Sequence, residues 1–279
     1  MRILITGAAG QLGTALQHVL AHHDLTPVDL PAIDVADGDS VRAAVARVAP
    51  ELVIHCAAYT DVDGCARDPE RAFRVNTHGA HNVALACLES GAALVHISTN
   101  EVFAGDEPGG YEEWMPLAPR NPYGRSKAAA EVAVSALLSR AYIIRTAWLY
   151  APGGRNFIHA ILKRARETGT IRVVTDEVGN PTYAPDLAAA IGHLVETEQY
   201  GVYHFTNSGA CSRWAFANEI LRQAGIDAAN VPILSGAYPR VSSPPPFAAL
   251  HNRNGAALGI TLRPWQEALA DYLHNEPLP

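Results

Sequence analysis

Short apolar runs alternate with stretches whose apolar residues recur every three or four positions, and this alternation organises the first 150 residues. Residues 3–6, 25–30, 52–58, 94–99 and 142–150 read as strands, each brief and rich in β-branched or aromatic positions. Residues 11–21, 41–48, 69–89 and 125–139 read as the helices between them. In the first helix Leu12, Ala15, Leu16, Val19 and Leu20 share one face. Central apolar strands separated by helices predict an α/β fold, a doubly wound parallel sheet. Such sheets bind ligands beyond the carboxyl ends of their strands. After Tyr150 the pattern loosens into shorter elements, with turn signals at 179–182, 208–209 and 244–246.

Composition narrows the class. With 279 residues, 48% hydrophobic and 18% charged, the chain has ordinary globular content. A formal net charge of −7 argues against a nucleic-acid protein, which would carry a basic face. No apolar run approaches the roughly 20 residues of a membrane span. The first apolar run leads straight into glycines and lacks a signal-peptide layout, so a cytoplasmic protein is expected. Cys56, Cys65, Cys87 and Cys211 have no Cys-x-x-Cys spacing and read as reduced, structural thiols. No His-Glu-x-x-His occurs, and His78 and His81 lack a third ligand nearby, so no metal is expected.

Two motifs carry chemistry. The strand 3–6 runs into Gly7, Gly10 and Gly13 and then into a helix, with Gln11 and Leu12 inside the turn. Glycines there let the backbone approach a pyrophosphate, and the helix N-terminus offers free N–H groups and partial positive charge. The spacing is G-x-x-G-x-x-G, so the weight rests on the strand–turn–helix context. Asp29 follows the second strand, 22 residues beyond Gly7, where a carboxylate binds an adenosine ribose 2′-OH. No Lys or Arg lies between Arg2 and Arg42 to welcome a 2′-phosphate, so NADH is preferred, with NADPH possible. Farther on, Tyr123 and Lys127 stand four residues apart and share a helix face. A nearby ammonium would lower the phenol's pKa toward neutrality and make Tyr123 a proton donor.

From these glycines onward the chain resembles the extended short-chain dehydrogenase/reductases, and within them the dTDP-4-dehydrorhamnose reductase branch. The shared motifs include Cys56 to Asp63, Val75-Asn76, His96 to Thr99, the Tyr123/Lys127 pair, Arg145 to Tyr150, Asn156-Phe157, Gly179 to Tyr183 and Gly259 to Trp265. They occur in order over nearly the whole chain. The resemblance implies a Rossmann-like domain over 1–150 with part of 183–205, and a smaller substrate lobe from 151–182 and 206–279. It implies reduction of a 4-keto nucleotide sugar, most directly dTDP-4-dehydro-6-deoxy-L-mannose to dTDP-L-rhamnose.

The same resemblance assigns residues. Tyr123 would protonate the ketone oxygen, Lys127 would also hold the nicotinamide ribose, Thr99 would hydrogen-bond the oxygen, and Asn76 would play a positional part. Asp34 and Val35 would meet the adenine, while Ala57, Ala58 and Tyr59 would let the chain pass close to the cofactor. Trp148, Asn156 and Thr182 would shape the sugar and nucleotide pocket. A nucleotide sugar is the expected partner, a homodimer is possible, and no nucleic acid or membrane is implied.

Three departures from the family pattern stand out. Where Ser-Thr-Asp-Tyr-Val-Phe is common, this chain has Ser98-Thr99-Asn100-Glu101-Val102-Phe103, so Glu101 takes the place of the aromatic facing the sugar. A C-terminal stretch that carries arginine in the family reads Pro244-Pro245-Pro246 here, with Arg240 nearby as a substitute. Ala15 stands where a metal-binding glutamate would be expected, so that feature is not carried over. These departures keep other readings open. They are a 4-ketoreductase of another nucleotide deoxysugar, a nucleotide-sugar epimerase or dehydratase, and a catalytically silent cofactor-binding subunit.

Overall fold

The computed structural model describes residues 1–153 and 156–275. At its centre β1 (Arg2–Thr6), β2 (Asp24–Val28), β3 (Leu52–His55), β4 (Ala93–Thr99) and β5 (Ala141–Thr146) form a parallel sheet. A sixth strand, Gly201–His204, pairs in parallel with β5. Across the sheet the order is Gly201–His204, β5, β4, β3, β1, β2, so the topological switch lies between β1 and β3. This is the doubly wound α/β fold that the alternating pattern predicts.

Strand alternation sorts the core into two layers. Ile3, Ile5, Leu52, Ile54, Ala93 and Val95 pack with α1 (Gln11–Val19) and the helix Ala184–Val195. Their neighbours Leu4, Val53 and Leu94 face the other way, toward α2 (Gly38–Val48) and the helices Gly79–Ser90 and Pro122–Leu137. A third core gathers Tyr150, Ile158, Leu162, Phe216, Ile220, Trp265 and Tyr272 from the later part of the chain. Among the described residues no helix is long and apolar enough to cross a membrane.

Several elements differ from the sequence pattern for identifiable reasons. The expected strand 142–150 is broken, because β5 ends at Thr146 and Trp148 adopts a left-handed φ of 45°. Leu149–Tyr150 then pairs with Thr182–Tyr183 and leaves the main sheet. β3 ends at His55, three residues early, and releases 56–58 toward the cleft described below. The expected helix 69–89 consists of Pro69–Ala72, a π-helical turn Phe73–His78, and Gly79–Ser90. Pro122–Leu137 begins earlier than its periodicity suggests. Asn121 caps it by accepting from the Gly124 N–H at 2.7 Å, and proline suits the first helical position.

Candidate active site

A cleft of about 580 Å³ opens beyond the carboxyl ends of the strands. One end is the glycine turn. Gly7 has φ +69°, and a Cβ there would sit 2.5 Å from the Ala57 nitrogen; one at Gly13 would sit 2.3 Å from the Gly7 carbonyl oxygen. Only glycine fits either position. Gly10 is the N-cap of α1 and has no side chain to occupy the helix's free N–H groups. Gln11, Leu12, Asp34, Val35, Ala57 and Ala58 line the same end. Gln11 Oε1 is buried there and has no hydrogen-bond partner among the described residues.

Asp29 also lines this end and is tied to the turn. Its Oδ2 accepts from the Ala9 N–H at 3.0 Å and its Oδ1 from the Leu30 N–H at 2.9 Å. Arg42 does not reach it, being engaged by Asp39 at 2.6 Å and Glu89 at 3.6 Å. Tyr59 does not line the cleft, contrary to expectation. Asn76 holds its backbone from both sides, accepting from the Tyr59 N–H at 2.7 Å and donating to its carbonyl at 3.1 Å. The Tyr59 ring lies under the Arg71 guanidinium, 4.4 Å away. Asn76 spends its remaining N–H on Ser126 Oγ at 2.9 Å, which clamps this loop to the helix bearing Tyr123 and Lys127. It lies behind the cleft wall, where a positional part suits it.

Farther along the cleft, Thr99 from the end of β4 meets Tyr123 and Lys127 from the first turns of Pro122–Leu137. The electrostatics correct the sequence expectation for the phenol. Burial and the Glu101 carboxylate push Tyr123 above the usual tyrosine range, while the Thr99 hydroxyl opposes them. Lys127 faces a neighbouring strand. Its ammonium lies 3.4 Å from His96 Nε2, and burial pulls Lys127 down to about 8. His96 is fully buried, pairs in register with His55 on β3, and is held neutral by burial and Lys127. His55 Nδ1 in turn lies 2.8 Å from Thr6 Oγ1.

β4 also anchors the site from behind. Thr99 faces the cleft, whereas its neighbour Ser98 donates to Glu131 Oε1 at 2.5 Å. Glu131 forms a buried, forked ion pair with Arg145, with Nη2–Oε2 at 2.7 Å and Nε–Oε1 at 3.0 Å. Arg145 donates again to the Glu113 carbonyl at 3.1 Å.

At the far end Glu101, Trp148 and Arg213 line the cleft. Glu101 Oε2 accepts from Asn121 Nδ2 at 2.6 Å, and burial raises its carboxyl above the ordinary value. Asn156 and Thr182 do not reach the cleft, because their polar atoms are spent internally. Asn156 caps the helix Phe157–Thr168 through the His159 N–H and donates to Ala151 O and Tyr272 Oη. Thr182 is fully buried, and its N–H donates to the Trp148 carbonyl at 3.2 Å. Arg240 is absent from the lining, and it pairs with Asp63 at 3.6 Å and Glu177 at 3.5 Å. Arg213 was not legible in the sequence, since its 65-residue separation from Trp148 leaves no local pattern.

Comparison with known proteins agrees with this geometry. Residues 1–277 match the family described as RmlD substrate binding domain. The spore coat polysaccharide biosynthesis protein SpsK of Bacillus subtilis is 37% identical, over 98% of this chain and 97% of that protein. The dTDP-4-dehydrorhamnose reductase of Mycolicibacterium smegmatis is 40% identical, over 97% and 84%. The crystal structure of dTDP-4-dehydrorhamnose reductase from Bacillus anthracis in complex with NADP superposes with a TM-score of 0.95. It is 37% identical, and the match covers 98% of each chain.

Proposed function

Because the chain belongs to the RmlD substrate binding domain family, we propose that it is an NAD(P)H-dependent oxidoreductase acting on a dTDP-linked deoxysugar. Its reaction is reduction of the 4-keto group, with dTDP-4-dehydro-6-deoxy-L-mannose as substrate and dTDP-L-rhamnose as product. The observation that carries this reading is one cleft with a glycine cradle at one end and Thr99, Tyr123 and Lys127 farther along. The residue set fits a dinucleotide. Cβ atoms would close the cradle at Gly7 and Gly13, and α1 presents an uncapped N-terminus to the pyrophosphate.

Bound in this cleft, a reduced nicotinamide supplies the hydride to the ketone carbon. Tyr123 gives its phenolic proton to the ketone oxygen. Its raised pKa keeps that proton in place across the neutral range, and the alkoxide forming at the substrate is a stronger base than the phenolate left behind. The Thr99 hydroxyl aligns the same oxygen. Lys127 holds the ribose hydroxyls, with its ammonium directed by His96. The nucleotide-binding part comprises 1–150 with the returning strand Gly201–His204, and the third core builds the substrate lobe. Asp29 favours NADH, because it sets a carboxylate near the ribose and Arg42 is held elsewhere. The protein works in the cytoplasm on a nucleotide sugar.

Glu101 supports a second reading within the same chemistry, a 4-ketoreductase of a different nucleotide deoxysugar. A carboxyl group lines the cleft where an aromatic is common in similar chains. The test is direct. Incubation with the 4-keto nucleotide sugar and NADH or NADPH should consume nicotinamide absorbance and yield the 4-hydroxy product. Absence of cofactor oxidation with every 4-keto sugar offered would overturn the proposal.

A further inference from the structure

Arg213 is held in the cleft by a stack of three residues. Its guanidinium lies 3.7 Å over the Trp148 ring. On the Gly179 side of the same ring, a Cβ added at that glycine would sit 2.8 Å from Trp148 Cε2. Trp148 itself has φ +45°, a conformation that bulky residues rarely hold without support. Gly179 leaves room for the ring, and the guanidinium covers it.

The guanidinium nevertheless has no direct hydrogen-bond partner among the described residues. Among the described residues its nearest carboxylate is Glu177 at 3.8 Å, beyond hydrogen-bond reach. Glu177 is shared with Arg240, which lies 3.5 Å from its other oxygen, so one carboxylate serves two cations. Burial pulls Arg213 down to about 10, with Glu177 and Glu101 opposing. A half-buried fork with unused donors has the geometry to bind an oxyanion at two points.

Position selects the oxyanion. Arg213 and Lys127 are the cations among the residues lining the cleft, and Lys127 belongs to the proton-transfer end. Glu101 lines the same cleft and acts electrostatically on both Tyr123 and Arg213, so it is near each of them. In a pyranose, C1 lies diagonally across the ring from C4. A sugar whose C4 oxygen meets Tyr123 and Thr99 therefore sends its C1 substituent toward the opposite wall.

We propose that Arg213, stacked on Trp148, is a substrate-specificity residue that grips the diphosphate joining the nucleotide to the sugar. The inference rests on the nucleotide-sugar reading above and adds the group that fixes the ring's orientation. Glu101, near both anchors, then faces the ring hydroxyls.

The experiment is calorimetric titration of thymidine diphosphate and of thymidine into the wild-type protein, Arg213→Gln and Arg213→Lys. Arg213→Gln should weaken thymidine diphosphate roughly tenfold to a hundredfold while leaving thymidine unchanged. Arg213→Lys keeps charge and stem but offers a single-point contact, so it should bind several-fold more weakly than wild type. Wild-type affinity for thymidine diphosphate in either variant would overturn the role of the fork. Equal weakening of thymidine would overturn the assignment to the diphosphate. A wild-type protein that binds no thymidine diphosphate would overturn this inference together with the proposed function.

Discussion

Lys127 Nζ lies 3.4 Å from His96 Nε2, a buried ammonium facing a buried imidazole. Burial pushes both groups toward neutrality, and the Lys127 charge lowers His96 further. Lys127 falls from 10.5 to about 8 and His96 drops well below its ordinary value.

The first prediction follows from that pair. Between pH 8 and 10.5 the unfolded chain binds the Lys127 proton more fully than the folded one, so this group makes stability rise with pH across that window. Below pH 8 its burial costs the folded state up to roughly 3 kcal/mol. Lys127→Met should therefore raise Tm at pH 7 while abolishing tight cofactor binding. Thermal melts at pH 7 and pH 10 check this, and the gain should shrink at the higher pH. The buried histidines act at the acid end. His55 is depressed to about 3, so stability should fall as pH drops below 6.5.

Replacement of Tyr123 by Phe removes the proposed proton donor and little else. Turnover should fall by roughly 10² or more, with cofactor affinity nearly unchanged. Steady-state kinetics and a cofactor titration separate the two effects. Near-normal turnover would sink the assigned role.

The proposed preference for NADH rests on Asp29. The wild-type protein should show higher kcat/KM with NADH than with NADPH, and Asp29→Ala should shift the ratio toward NADPH by relieving repulsion of the 2′-phosphate. Because Asp29 also accepts from the Ala9 N–H, the variant should lose some affinity for both cofactors. A ratio unmoved by the substitution would refute the charge argument.

Glu101→Tyr should alter KM or sugar preference among 4-keto substrates more than cofactor affinity. The side chain is held to Asn121 and lines the sugar end of the cleft, away from the glycine turn. Identical kinetics across several sugars would remove Glu101 from substrate recognition.

Arg145→Met leaves the Glu131 carboxylate buried beside Ser98 without its fork. The expected loss is about 3–5 kcal/mol of stability, read from denaturant unfolding. A double variant, Glu131→Leu with Arg145→Met, should recover much of it. A double variant as unstable as the single one would show that packing, and not the stranded charge, dominates.

How much of this was legible in the sequence depended on how local each signal was. The glycine turn and the Tyr123/Lys127 spacing are encoded within a dozen residues, and the sheet follows from repeated apolar runs. The break at Trp148 was not readable, because it depends on Gly179 leaving space for the indole. Asn156 and Thr182 matched family positions, yet polar partners on other segments hold them away from the cleft. The raised pKa of Tyr123 was not readable either, because it comes from burial and from Glu101. Four-residue spacing fixes a shared helix face, but the ammonium's direction is set by His96 from a neighbouring strand.

The alternation of Ser98 and Thr99 on β4 has a consequence for how such a protein can change over time. One residue reaches back to the buried Glu131–Arg145 pair and the next lines the cleft, so the part of the site proposed to handle the proton is welded to the sheet. Glu101 and Arg213 sit on a short turn and at the start of a helix, outside that sheet. Substitutions at Arg213 can retune which sugar is accepted without touching the sheet, whereas a change at Glu101 is also felt by Tyr123, so a lineage exploring new substrates through Glu101 adjusts its acid at the same time.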